Sequence, residues 1–218
     1  MARPTTTRRK PLDRATIVAA GVALADEAGA AGVTMRVLAE RLGFKVMALY
    51  NHVANKDELL ALMVDAVAAE IDEPTAQAEP LEAVRQLAIA TRAAFVRHPW
   101  AAELWQRHLP GPARTDHMEH LLRILDQSGL SPEIAHHGFH AVNNHVLGYT
   151  LQEQALAFDT SKPGDLAGAR DFIATMSSER HPHTIAHVNE HLRGNSGSSF
   201  ELVLDLILDG LTRLESDC

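Results

Sequence analysis

Residues Thr34 to His52 read TMRVLAERLGFKVMALYNH, and this stretch decides the fold. The Thr34 hydroxyl can accept a hydrogen bond from a backbone N–H three residues on, which suits it to cap a short helix. Met35, Leu38, Ala39 and Leu42 then recur at helical spacing and share one face. Gly43 ends that helix after barely two turns, because glycine takes a left-handed turn at no steric cost. A further helix is predicted from Lys45 to His52, with Leu49 and Val53 facing inward and small Ala39 where the two helices must cross closely. Two short helices joined in this way have the grammar of a helix-turn-helix, whose second helix presents an outward face of the size that enters the DNA major groove.

Upstream, Ile17, Gly21, Leu24 and Ala28 line one face of a helix from Leu12 to Ala28, stopped by Gly29. Downstream, Asn55 with Glu58 three residues on forms a capping-box-like start for a helix that buries Leu59, Met63, Ala66 and Val67 and runs to about Ile71. The acidic, proline-bearing segment DEPTAQAEP, residues 72–80, marks a break. Further helices are predicted over 81–97, 101–108 and 117–127, separated by His98-Pro99 and by the Leu109-Pro110-Gly111-Pro112 turn. Ser131 and Pro132 read as N-cap and first position of a long helix reaching Phe158. The stretch from Asp159 to Ser199 is looser, with short helical pieces, and the last helix spans Phe200 to Leu214. There Glu201, Asp205, Asp209 and Arg213 form one narrow polar stripe and apolar residues cover the rest. A helix of that kind must be buried on more than one side, and a partner chain is the simplest cover for the outer side.

The composition points the same way. The chain has 218 residues, 46% of them hydrophobic, with many Ala and Leu and few of the β-branched and aromatic clusters that strands favour. An all-α fold is expected. The net charge of −8 is unevenly spread: residues 1–60 carry nine Lys or Arg against six Asp or Glu, and the remainder carries eleven against twenty-two. A basic head on an acidic body points to a nucleic-acid contact at the head, because phosphates are neutralised by local positive charge. Arg3, Arg8, Arg9 and Lys10 by themselves are equally consistent with a solvated tail. Cys218 is the single cysteine, which excludes an intrachain disulfide and a cysteine zinc site and favours a reducing setting. No apolar run follows the basic opening and no 18-residue apolar stretch is evident, so neither export nor membrane spanning is expected.

The run from Leu12 through Leu60, with G-V-T-M-R-x-L-A-x-R-L-G, A-L-Y-N-H-V and N-K-D-E-L-L, resembles the DNA-binding domain of the TetR family. The resemblance implies that Thr34, Arg36, Tyr50, His52 and Lys56 contact the phosphate backbone and that Lys45, Val46, Met47 and Asn51 lie near base edges. The chemistry agrees, since Lys and Arg are cations, Thr, Tyr and Asn donate hydrogen bonds, and Asn can pair with adenine. Val46, Met47 and Ala48 are apolar where the tetracycline repressors are more polar, so the operator sequence is not carried over. Val46 and Met47 either touch thymine methyl groups or pack inward.

The rest of the chain is similar to the ligand-binding domain of the tetracycline-repressor branch, through R-H-P-W-A-A-E-L, G-F-H-A-V-N-N-H-V-L-G-Y-T-L-Q-E-Q and F-E-L-V-L-D-L-I-L-D-G-L. This likeness implies a homodimer through helices 131–158 and 200–214 and a small-molecule pocket. Its candidate residues are Arg92, Phe95, Trp100, Leu104, Trp105, Met118, Leu122, Phe139, His140, Asn143 and Leu147, mostly apolar with a few directed polar groups. The expected organisation is a basic tail over 1–11, a helix-turn-helix domain over 12–56, a connecting helix and linker over 57–79, and a ligand-binding and dimerisation domain over 80–218. The expected function is a ligand-responsive repressor that binds a palindromic operator on double-stranded DNA and is released by an inducer. It is expected to act without a cofactor, away from membranes, in the cytoplasm at the nucleoid.

Thirteen histidines raise a competing reading. His187, Glu190 and His191 match the H-x-x-E-H pattern of some zinc peptidases, so the alternative is a zinc-dependent hydrolase. Such a site needs rigidity, a third ligand and an open position for water, and the motif sits just before the GNSGSS run. His117 with His120 and His136 with His140 share helical spacing and read as solvated or pocket residues. The expectation is therefore a non-enzyme without a metal site.

Overall fold

The structure is a computed structural model that describes residues 11–155, 163–192 and 199–216. The cations Arg3, Arg8, Arg9 and Lys10, the expected helix end at Phe158, most of the GNSGSS run and Cys218 lie outside the described residues. Every regular element among the described residues is a helix: α1 (Arg14–Gly32), α2 (Met35–Leu42), α3 (Val46–Tyr50), α4 (Lys56–Ala68), α5 (Pro80–Arg97), α6 (Pro99–Leu104), α7 (Pro112–Gln127), α8 (Pro132–Ala155), α9 (Pro163–Ala174), α10 (Pro182–Leu192) and α11 (Ser199–Ser216). The all-α expectation holds.

Several boundaries differ from the sequence reading, for a shared physical reason. Six helices, α5 through α10, begin on a proline. The ring presets a helical φ, and its missing N–H falls where a helix has no partner for one, so proline starts helices as readily as it stops them. Pro112, expected in a turn that separates helices, instead opens α7, five residues ahead of the predicted start at His117. Pro99 likewise opens α6, which ends at Leu104. Pro163 and Pro182 open α9 and α10 in the stretch expected to be looser.

The chain forms two compact units. The first contains the described residues up to Ile71 together with Ala93–Glu119. In it α1 packs on α2, α4 and α6, and α2 packs on α3. Ile17, Leu24, Leu38, Leu49, Leu59, Met63 and Val67 are buried there, as their spacing predicted, while Ala28 is exposed. A Cβ added at Gly21 would lie 2.8 Å from Met63 Sδ, so the glycine is what lets α1 approach α4 this closely. By length and composition alone α1 could cross a membrane, although Thr16, Asp26 and Glu27 interrupt its apolar run. Its Ile17, Val18, Gly21, Leu24 and Ala25 are instead buried within the protein.

Two polar contacts tie α4 to the start of α7 inside this unit. Asp65 accepts from the backbone N–H of Ala113 at 3.2 Å and of Arg114 at 2.9 Å, capping α7 with a carboxylate. The Arg114 guanidinium donates to the carbonyls of Trp105 at 2.6 Å and His108 at 3.3 Å, and also to that of Leu109. Burial pulls the Arg114 pKa below its ordinary value, with nearby Asp65 opposing the shift.

The second unit contains Asp72–Arg92 and the described residues from His120 onward. α8 and α11 run antiparallel: Ser131 N–H donates to Glu215 at 2.7 Å at one end, and a His145 ring nitrogen lies 2.8 Å from the Phe200 carbonyl at the other. Gly138, Val142, Val146 and Thr150 are the buried face of α8, and Phe200, Leu204, Leu208 and Leu211 that of α11. The polar stripe of the last helix divides. Glu201 and Asp205 take hydrogen bonds from Arg85 on α5, at 3.2 Å and 2.8 Å, while Asp209 and Arg213 are exposed. Leu202, Val203, Leu206 and Leu214 form an exposed apolar face on the same helix.

Candidate nucleic-acid interface

The helix-turn-helix is built from local bonds. The Thr34 hydroxyl accepts from Val37 N–H at 3.2 Å, as its capping role requires. Gly43 has φ 71° and ψ 31°, the left-handed region, and its N–H reaches the Glu40 carbonyl at 3.1 Å while Phe44 N–H reaches that of Ala39 at 2.9 Å. This paired closure satisfies the last carbonyls of α2 and reverses the chain into α3.

α3 is five residues long, shorter than the predicted Lys45 to His52, because Lys45 and Asn51 serve as its caps. Leu49 is 0% exposed and Val53 1%, and they hold its inner side. On the outer side Met47 is 71% exposed and Tyr50 42%, with Lys45 and Asn51 also exposed. Met47 therefore faces solvent and does not pack inward, while Val46 is half-buried. Thr34 and Arg36 are exposed, His52 and Lys56 half-buried. Arg36 pairs with Glu40 at 3.1 Å one turn on.

Two arginines that sequence reasoning passed over support this assembly. Arg14 Nε donates to the His52 carbonyl at 2.9 Å and pairs with Glu58 at 3.5 Å, which fixes the end of α3 against the start of α1. Arg41 makes a bidentate pair with Glu27, 2.6 Å on each arm. That hydrogen bonding holds the Glu27 carboxyl below its usual range and raises the Arg41 pKa. The Asn55 cap of α4 forms as predicted, with Glu58 N–H donating to Asn55 at 2.8 Å, while the Glu58 carboxylate accepts from Ala54 N–H at 2.5 Å, one residue before the cap.

The candidate pocket residues fall into both units. In the first, Phe95, Trp100 and Leu104 are buried, Trp105 is half-buried with its ring edge-on to Phe95 at 4.9 Å, and Met118 is exposed. In the second, Arg92 pairs with Glu153 at 2.6 Å and sits over the rings of Tyr149 and Phe200. Asn143 donates to the Phe139 carbonyl within its own helix, Leu147 is half-buried, and His140 and Leu122 are exposed. A cavity of about 660 Å³ in the first unit has none of these residues in its wall; it follows α1 and α4 past Val18, Val22, Leu62, Asp65 and Glu70. His187 and Glu190 lie on α10, and among the described residues no three His, Cys, Asp or Glu side chains are grouped to hold a metal ion.

Comparison with known proteins agrees with this geometry. Residues 17–63 match the family model described as bacterial regulatory proteins, tetR family, and residues 74–214 match the one described as tetracyclin repressor-like, C-terminal domain. The HTH-type transcriptional repressor DrrR1 of Streptomyces coeruleorubidus is 32% identical over 92% of this chain and 76% of its own length. The crystal structure of the Streptomyces coelicolor TetR family protein ActR in complex with (S)-DNPA superposes with a TM-score of 0.78 at 26% identity, covering 94% of this chain and 98% of that one. That of BioQ with its double-stranded DNA operator does so with a TM-score of 0.66 at 26% identity, covering 92% and 98%.

Proposed function

Since the chain belongs to the TetR family of bacterial regulatory proteins, a family of regulators and not of enzymes, we propose that it is a dimeric, ligand-responsive repressor of a palindromic operator. The observation that carries this reading is α3 itself. Its inner residue Leu49 is fully buried and its outer residue Met47 is 71% exposed, so the helix is fixed on one side and open on the other. In the proposed complex Lys45, Val46, Met47 and Asn51 meet base edges, Met47 against thymine methyl groups, and Thr34, Arg36, Tyr50, His52 and Lys56 meet phosphates. BioQ, which shares this fold, was solved with its double-stranded DNA operator, and that supports operator binding by analogy.

In the proposed dimer α8 and α11 of the two protomers pack together, the helices expected over 131–158 and 200–214. Leu202 at 62% and Leu206 at 58% exposure support it, since an apolar face of this kind on a regular helix is stable once covered. Pairing places two α3 helices in successive major grooves about 34–36 Å apart. The region over 80–218 takes the inducer, an apolar and partly aromatic compound, and the ActR complex with (S)-DNPA supports a small-molecule site. Induction works through α4, in the connecting segment 57–79: Asp65 caps α7, so a ligand that reshapes the turn between α6 and α7 pulls on the helix that comes after the helix-turn-helix. The protein works in the cytoplasm, at the nucleoid.

Selection of bound duplexes from a random pool, with and without aromatic compounds, tests the proposal. The expected result is a palindrome whose retention falls with rising salt and with one of the compounds. Leu206→Arg should give monomers in sedimentation and lose the palindrome; a dimer that survives this change removes the α11 face from the interface.

A further inference from the structure

His98 caps α6 and is 8% exposed. Each of its ring nitrogens meets a carboxylate: Nδ1 lies 2.8 Å from Asp26 Oδ1 on α1, and Nε2 lies 3.0 Å from Glu70 Oε2 just past α4. Trp100 on α6 donates its indole N–H to the same Asp26 oxygen at 2.7 Å, and Arg97 at the end of α5 donates to the Glu70 carbonyl at 3.4 Å. All of these residues belong to the first unit, where α1 packs on both α4 and α2, and α2 on α3.

An ionised carboxylate accepts hydrogen bonds and donates none. A neutral imidazole has one N–H, so it can satisfy one of these two carboxylates and turns a lone pair toward the other. The doubly protonated ring satisfies both. On the elements packed here, Asp65 of α4 is engaged by the α7 amides, Arg14 of α1 by Glu58 and the His52 carbonyl, and Arg97 of α5 by the Glu70 carbonyl.

We propose that His98 is a positioning residue for DNA binding, which as an imidazolium ties Asp26 on α1 to Glu70 beyond α4 and makes operator affinity depend on its proton. This rests on the repressor reading. The sign comes from the proton: the tie needs both ring N–H groups, so it is complete at low pH and is lost when rising pH removes the second proton. Once Glu70 is released, the end of α4 is free to shift against α1, and α1 carries α2 and α3 with it.

Glu70→Gln is the deciding variant. Its amide can donate as well as accept, so the neutral ring can donate to Asp26 and accept from the new amide, and the tie no longer needs the second proton. Operator affinity at fixed ionic strength, followed from about pH 6 to about pH 8, should fall roughly five-fold more in the unaltered protein than in Glu70→Gln. His98→Gln should bind more weakly than the unaltered protein at the lower pH, with the flattened profile. Comparing proteins that differ at a single position cancels every pH effect they share. Superimposable profiles for the unaltered protein and Glu70→Gln overturn the proposal. Ring nitrogen NMR signals of His98 give a readout that needs no DNA: the second N–H should persist to higher pH in the unaltered protein than in Glu70→Gln. Identical ring states overturn the tie alone. Failure of operator binding at every pH, with the ring states differing as expected, defeats the repressor reading instead and the role in DNA binding with it. Should His98→Gln not fold, Glu70→Gln decides.

Discussion

Replacing Gly43 tests whether the left-handed turn sets the presentation of α3. At φ 71° and ψ 31° an alanine incurs about 1–2 kcal/mol of left-handed strain. A stiffer unfolded chain returns about 0.4–1 kcal/mol of that. Gly43→Ala should therefore destabilise by about 1 kcal/mol. Gly43→Asn should cost only a fraction of this, because a short polar side chain tolerates the same region, and Gly43→Val, β-branched, should cost more than alanine. Urea denaturation of the three variants gives the stability order, and fluorescence anisotropy with operator duplex gives the affinity order. The two should agree, since Lys45, the cap of α3, comes directly after the turn and α3 is only five residues long. Equal costs for alanine and asparagine would refute the conformational argument. Stability losses in the expected order with unchanged operator affinity would refute the claim that the turn aims α3.

Leu49→Ala should lose about 2–5 kcal/mol in urea denaturation because its side chain is fully buried. Met47→Ala, on the exposed side, should change stability by less than about 0.5 kcal/mol, and the reverse ranking would invert the assigned faces of α3. Lys56→Ala should weaken binding on every duplex alike and lower the salt slope by about one, whereas Asn51→Ala should alter base preference; a uniform loss for Asn51→Ala counts against its base contact. Arg41 holds the Glu27 carboxyl below its usual range, so their pair contributes above the ordinary carboxylate range and is lost as pH falls through the lowered value. Arg41→Gln should return the Glu27 titration upward in a carboxyl NMR experiment, and an unmoved titration would refute the cause.

The legible parts of the fold are those written within a few residues. Thr34 with Val37, Gly43 with Ala39 and Glu40, and Asn55 with Glu58 each close a bond over three or four positions, so residue type and spacing suffice. The inner face of α2 and α3 is legible for the same reason, because helical periodicity is local. Proline misleads because it has two meanings, and the residues on its C-terminal side decide which applies: Pro112 sits in a sequence that looks like a turn, yet it is the first of the sixteen residues of α7.

Contacts between distant residues leave no such trace. The polar stripe of α11 is visible in the sequence, but that Glu201 and Asp205 face Arg85 while Asp209 faces solvent depends on where α5 lies. The candidate pocket residues share a chemistry, and chemistry alone does not bring side chains from several helices around one space. His98 is the sharpest case. Its motif R-H-P-W is legible as a likeness, yet its partners Asp26 and Glu70 are 72 and 28 residues away and look like ordinary solvated acids. What makes the three residues a device is the two-sided engagement of one ring, and a ring with two nitrogens has no spacing rule. The pH profile of Glu70→Gln is therefore informative where further sequence patterning is not, since it reads the geometry of the ring directly.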